Sequence, residues 1–79
     1  MSNFPSLTSK ELIRILESKG FVLKRIHGSH HYFVNTETGK ITVVPTHNKD
    51  LAKGTLHAIL KQAGIDKEEI LNFSLWRLS

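Results

Sequence analysis

Cysteine is missing from the 79-residue chain, which excludes disulfides, thiolate nucleophiles and cysteine-based zinc sites. No run approaches the ~18 consecutive apolar residues of a membrane span. The stretch from Met1 to Lys10 has neither the basic opening nor the apolar core of a secretory signal, so the expected compartment is the cytoplasm. Repeats and low-complexity stretches are absent. So are G-x-S-x-G, H-E-x-x-H and a Gly-rich phosphate loop followed by Lys-Ser/Thr. Acidic residues are few, seven against eleven Lys and Arg. No carboxylate pair falls in a plausible cleft, because Glu37 and Asp50 both lie in turn segments. If the chain is an enzyme, histidine carries the proton transfer.

What remains is a small, basic, soluble composition, 39% hydrophobic and 23% charged, with five histidines. These fractions are those of a globular domain and argue against disorder. A chain of this length buries about 60–65% of its unfolded surface. That supports one two-layered core, so residues 1–79 are expected to form one domain.

Thr8 and Glu11 have the spacing of a capping box, with Leu7 and Leu12 placed as its hydrophobic staple. Leu12, Ile13 and Leu16, with Ile15 as a further candidate, form an apolar stripe at helical spacing. Gly20 stands where a left-handed residue ends a helix. The pattern predicts a helix over 9–19. Short β-rich runs follow at 21–27, 30–34 and 41–44, joined by Gly28-Ser29 and by a turn over 35–40, with Pro45 closing the last. Such short links make an antiparallel meander. Residues 46–54 read as a polar loop with one helical turn near Asp50. Leu56, Ile59 and Leu60 mark a helix over 55–63, ended by Gly64. Asp66 with Glu69 and Ile65 with Ile70 repeat the cap and staple for a short helix over 67–72. The predicted architecture is α+β, α-β-β-β-α with a short extra helix. Its three-stranded antiparallel sheet carries helices on one face, like a double-stranded-RNA-binding domain.

Charge is concentrated in the middle. Residues 24–61 hold six bases against two acids, a net of +4, together with all five histidines, His27, His30, His31, His47 and His57. Cations interleaved with imidazole suit a phosphate backbone, although solvated lysines account for most surpluses of this size. His30 and His31 are neighbours on a strand, so their side chains point to opposite faces. One of them faces the helices as a core histidine with a hydrogen-bonded nitrogen. Gly28 and Ser29 put His30 at the mouth of a tight turn, where a glycine lets a substrate backbone approach. His30 is therefore the candidate for chemistry. A metal site built on His27-x-x-His30, with His47 from the loop, is the second reading, unsupported by cysteine or by an acidic pair. His57 reads as a partly exposed helix residue.

Several ordered motifs resemble the HicA (YcfA-like) toxin family. They are Glu11-Leu12-Ile13-Arg14-x-Leu16-Glu17-x-x-Gly20-Phe21, Gly28-Ser29-His30-His31-Tyr32-Phe33 and Val43-Val44-Pro45-Thr46-His47. The run from Lys49-Asp50-Leu51 through Lys53-Gly54-Thr55-Leu56 to Ile59-Leu60-Lys61-Gln62-Ala63-Gly64 completes the set. The likeness spans about Thr8 to Ile70, and no departure from the core motif is visible. It implies a double-stranded-RNA-binding-like fold and an RNA-cleaving toxin, an mRNA interferase, whose active site a HicB-like antitoxin covers. It also implies that the histidine after Gly-Ser, here His30, is catalytic.

The chemistry of the residues is compatible with that expectation. RNA carries its own nucleophile in the 2′-hydroxyl, so a protein needs to supply only proton transfer and charge stabilisation. A free imidazole, titrating near ~6.5, is partly in each protonation state at neutral pH. Lys24 and Arg25, or Lys53 with the helix N-terminus near Gly54-Thr55, can hold a phosphate. The candidate RNA-binding set is Lys24, Arg25, Gly28, Ser29, His47, Lys49 and Lys53. No cofactor and no metal is expected, and the free toxin is expected to be monomeric. The competing class is a non-catalytic module that only holds double-stranded RNA. A pure protein-interaction domain would draw on Leu75-Trp76-x-Leu78, where Trp76 either packs back on the fold or marks a contact.

Overall fold

The computed structural model describes residues 6–47 and 49–70. The elements follow in the order α1 (Ser9–Ser18), β1 (Phe21–His27), β2 (His30–Asn35), β3 (Ile41–Pro45) and α2 (Lys53–Ala63). A further helical turn occupies 67–70. The fold is α+β, as the sequence patterns predict. The expected helical residues 71–72 and the tail with Leu75, Trp76 and Leu78 lie outside the described residues.

α1 starts where its cap dictates. The Glu11 N–H donates to Thr8 Oγ1 at 3.2 Å, and the Thr8 N–H donates to Glu11 Oε1 at 2.9 Å, which completes the capping box. Leu12, Ile15 and Leu16 are buried, whereas Ile13 is only half-buried against the core. The helix ends at Ser18, one residue earlier than predicted, with Lys19 as its cap. α2 ends on Gly64, whose φ of +73° is a left-handed conformation that side chains rarely adopt. It begins at Lys53 rather than at Thr55.

The strands form one antiparallel sheet in the order β1-β2-β3. Phe33 on central β2 opposes Leu23 on one side and Thr42 on the other, and opposed residues share a face. Phe21, Phe33, Thr42 and Val44 turn inward to meet Leu12, Ile15 and Leu16 of α1 and Leu56, Ile59, Leu60 and Ala63 of α2. Thr42 is an inward polar residue satisfied by Gln62, its Oγ1 donating at 2.9 Å to Oε1. The register slips between Leu23 and Arg25, leaving Lys24 as an extra residue in edge strand β1. Leu23, where the slip begins, and Ile26, beyond it, stay 41% and 56% exposed.

Other details also differ from the sequence reading, and β2 runs one residue further than predicted, to Asn35. Pro45 is the last residue of β3 rather than the residue after it. It opposes His30, and its carbonyl accepts from Ser9 Oγ at 2.6 Å. β3 is an edge strand, so the missing N–H interrupts no ladder. The predicted helical turn near Asp50 is absent. Asp50 instead bridges Thr8, and the Leu51 N–H donates to the Leu7 carbonyl at 2.8 Å. Burial of Leu7 and Leu51 in the common core holds the backbone extended there.

Asn35 is the joint at the opposite end. Its side-chain amide donates to the Lys19 carbonyl at 3.1 Å, and its Oδ1 accepts from the N–H groups of Glu37 and Thr38 at 2.9 and 3.2 Å. Removing it leaves three backbone groups without this partner. Asn35→Ala is expected to cost about 2–4 kcal/mol in chemical unfolding.

Near the same end Lys19 pairs with Glu69. This hydrogen bond, with the Asp66 N–H second, holds the Glu69 carboxyl below its ordinary value. The resulting stabilisation is present above the unfolded carboxylate range and disappears as pH falls through the lower folded value. The stability–pH curves of wild type and Lys19→Met should differ slightly at neutral pH and converge in acid.

Candidate active site

The β1–β2 turn contains only Gly28 and Ser29, closed by His27 opposite His30. Gly28 has φ +62°, and no non-glycine among the described residues has positive φ, the pattern of a II′ hairpin turn. A side chain at position 28 would be strained in that conformation. Directly opposed residues hold their Cβ atoms about 5 Å apart on one face. His27 and His30 therefore stand side by side, both exposed. Two residues along the same face is Tyr32, opposed by Arg25, whose guanidinium carbon lies 5.0 Å from the ring centroid. Lys24 and Arg25 border a shallow groove of about 600 Å³ that continues past Tyr32 and Val34 to Ile41.

His31 faces the other way, on the side of Phe33 and Val44. It is half-buried, but its Nδ1 is buried without a hydrogen-bond partner among the described residues. The inward histidine thus occupies the expected place without the expected bond.

Hydrogen bonds gather the other candidates at this end. Thr46 grips the turn, its N–H and Oγ1 both donating to the Ser29 carbonyl at 2.7 and 2.8 Å. Ser9 ties the start of α1 to Pro45. His47 then faces α1 across a cleft of about 530 Å³, lined also by Lys10, Arg14 and Glu17. Lys49 is exposed just before the Asp50–Thr8 bridge, and Lys53 opens α2, whose first turn has no side-chain cap. Gly28, Ser29, His30, His47, Lys49 and Lys53 therefore share one end of the molecule. Lys24 and Arg25 lie on the uncovered sheet face running away from it. His57 is exposed on α2.

Among the described residues no group of three or more His, Asp or Glu side chains is placed to hold a metal ion, so His47 does not complete a ligand set with His27 and His30. Lys10 and Arg14 are legible as an i, i+4 basic pair on α1, although neither is in the candidate set read from the sequence. Tyr32 and His27 were likewise readable by strand alternation and turn closure, once the two-residue turn is accepted.

A helix, a three-stranded meander and a second helix packed on one sheet face have the element order and layering of the double-stranded-RNA-binding class of folds. The family model described as the HicA toxin of bacterial toxin–antitoxin systems matches residues 9–65. The chain belongs to that family, and its role is that of a toxin component. A search of curated proteins returned no significant match. Among the described residues no helix is long and apolar enough to cross a membrane.

The two adjacent histidines should separate in a stability measurement. His31→Phe removes a buried unpaired nitrogen while keeping a ring, and should leave stability unchanged or raise it by up to about 1 kcal/mol. His30→Ala, at an exposed position, should stay within about 0.5 kcal/mol of wild type. A marked loss in either variant would contradict these placements.

Proposed function

We propose that the chain is a metal-independent endoribonuclease, the mRNA-cleaving toxin of a type II toxin–antitoxin pair, acting in the cytoplasm. The observation that carries this reading is the exposed His30 at the hairpin mouth of a HicA-family chain, with a second imidazole directly opposite.

The reaction needs two proton transfers. A base takes the proton of the ribose 2′-hydroxyl as that oxygen attacks the adjacent phosphorus. The bond from phosphorus to the 5′-oxygen of the next nucleotide breaks, and that oxygen takes a proton from an acid. The products are a 2′,3′-cyclic phosphate and a 5′-hydroxyl end. His30 is the principal group and His27 its partner, one imidazole accepting the first proton and the other donating the second. No carboxylate occurs in β1, β2 or β3, so charge building on the phosphate meets only cations there. Lys24, Arg25 and Lys53 are candidates to stabilise it. Gly28 and Ser29 allow close approach of the backbone, and His47 and Lys49 extend the binding surface. A HicB-like antitoxin would silence the toxin by covering this end.

Wild type and His30→Ala, produced at equal soluble levels, test the proposal. His30→Ala should lose about 10²–10⁴-fold in RNA cleavage and relieve growth arrest. His27→Ala should lose less and shift the pH–rate profile. Chelator should leave cleavage unchanged. Equal cutting by His30→Ala would end the mechanism. A salt-sensitive complex without fragments would favour a binding module instead.

A further inference from the structure

The uncovered face of the sheet carries more than its two histidines require. Val22 and Ile41 are 54% and 61% exposed there. Val34 stands between them, and two residues along β2 Tyr32 is half-buried with Arg25 over its ring at 5.0 Å. Lys24, displaced by the bulge, adds a second cation to the groove. A solvated sheet face ordinarily carries small polar residues in alternation. This one combines an aromatic ring, a stacked guanidinium, apolar flanks and positive charge, and the strands hold no acid that would repel an anion.

We infer that this face is a subsite for an unpaired RNA base, which stacks on the Arg25–Tyr32 unit while its phosphate meets Lys24 and leads the strand toward His30. Three observations favour this occupant. Tyr32 and His30 are two residues apart on one strand face, so the subsite is continuous with the candidate active site. One nucleotide step, about 6–7 Å, matches the rise of two strand residues, about 6.6 Å. The charge complements a phosphodiester. Rings and guanidinium planes bind bases that are free to splay from a stack, and a closed duplex offers none. The substrate is therefore single-stranded RNA at this point, despite a fold of the double-stranded-RNA-binding class. The position of the scissile bond rests on the nuclease reading above, whereas the base subsite does not.

The test is read as binding, so that it is independent of cleavage. A short single-stranded RNA carrying one 2-aminopurine is titrated into the full chain with His30→Ala as background. The fluorescence of the base should be quenched on binding. Adding Tyr32→Ala should weaken binding by about 5- to 100-fold and abolish the quench, and Tyr32→Phe should restore both. Arg25→Gln, at an exposed position, should weaken binding with less loss of quench. The same RNA annealed to its complement should be indifferent to Tyr32. Undiminished binding of single strands by a folded Tyr32→Ala variant would overturn the subsite, as would an equal loss on duplex. Loss of self-association or of antitoxin binding with RNA binding intact would assign the face to protein and likewise overturn it. Cleavage by wild type without Tyr32-dependent binding would leave the nuclease reading standing alone. Tyr32-dependent binding without cleavage would do the reverse.

Discussion

Two helices of ten and eleven residues can cover only one face of a three-stranded sheet, and the rest of the molecule follows from which face they choose. Phe21, Phe33, Thr42 and Val44 point toward them and are almost fully buried. Period-two alternation then commits His30 and Tyr32 to the open side, and the bulge at Lys24 brings Arg25 and His27 onto it as well. A one-residue slip of β2 would exchange the two sets, placing a catalytic candidate in the core and a phenylalanine in water. Burial of Phe33 and exposure of His30 are therefore the same constraint seen from its two sides.

The end of the molecule that holds the chemistry is assembled by few bonds. Thr46 on Ser29, Ser9 on Pro45 and Leu51 on Leu7 bring a hairpin turn and the starts of two helices together, and basic residues come with each. Concentrated positive charge is costly for folding and useful for binding a polyanion. The opposite end is held by Asn35 and the Lys19–Glu69 pair. The parts that fix the fold and the parts proposed to meet RNA are thus largely separate.

Local signals were legible where a few neighbouring residues set the geometry. The Thr8–Glu11 cap, the Gly28-Ser29 turn and the left-handed Gly64 are decided within three or four positions. The misread segments were those ruled by distant partners. Asp50 carries no local mark of its bridge to Thr8, because the drive comes from burying Leu7 and Leu51 together. Pro45 is held at the end of β3 by Ser9, thirty-six positions earlier, whose hydroxyl donates to the Pro45 carbonyl. The Lys24 bulge is likewise invisible in a run of β-forming residues, since it exists only relative to β2.

For the site, the sequence alone determined the chemical inventory: no thiol, few acids, five imidazoles and a basic middle segment, with His30 beside a glycine turn. It also separated His30 from His31, because adjacent strand residues must diverge. Only the tertiary structure decided which of the two met the core, and that the bulge at Lys24 laid Arg25 over Tyr32. Strand register and helix placement depend on burying apolar surface across the whole chain, and no local stretch of residues carries that information.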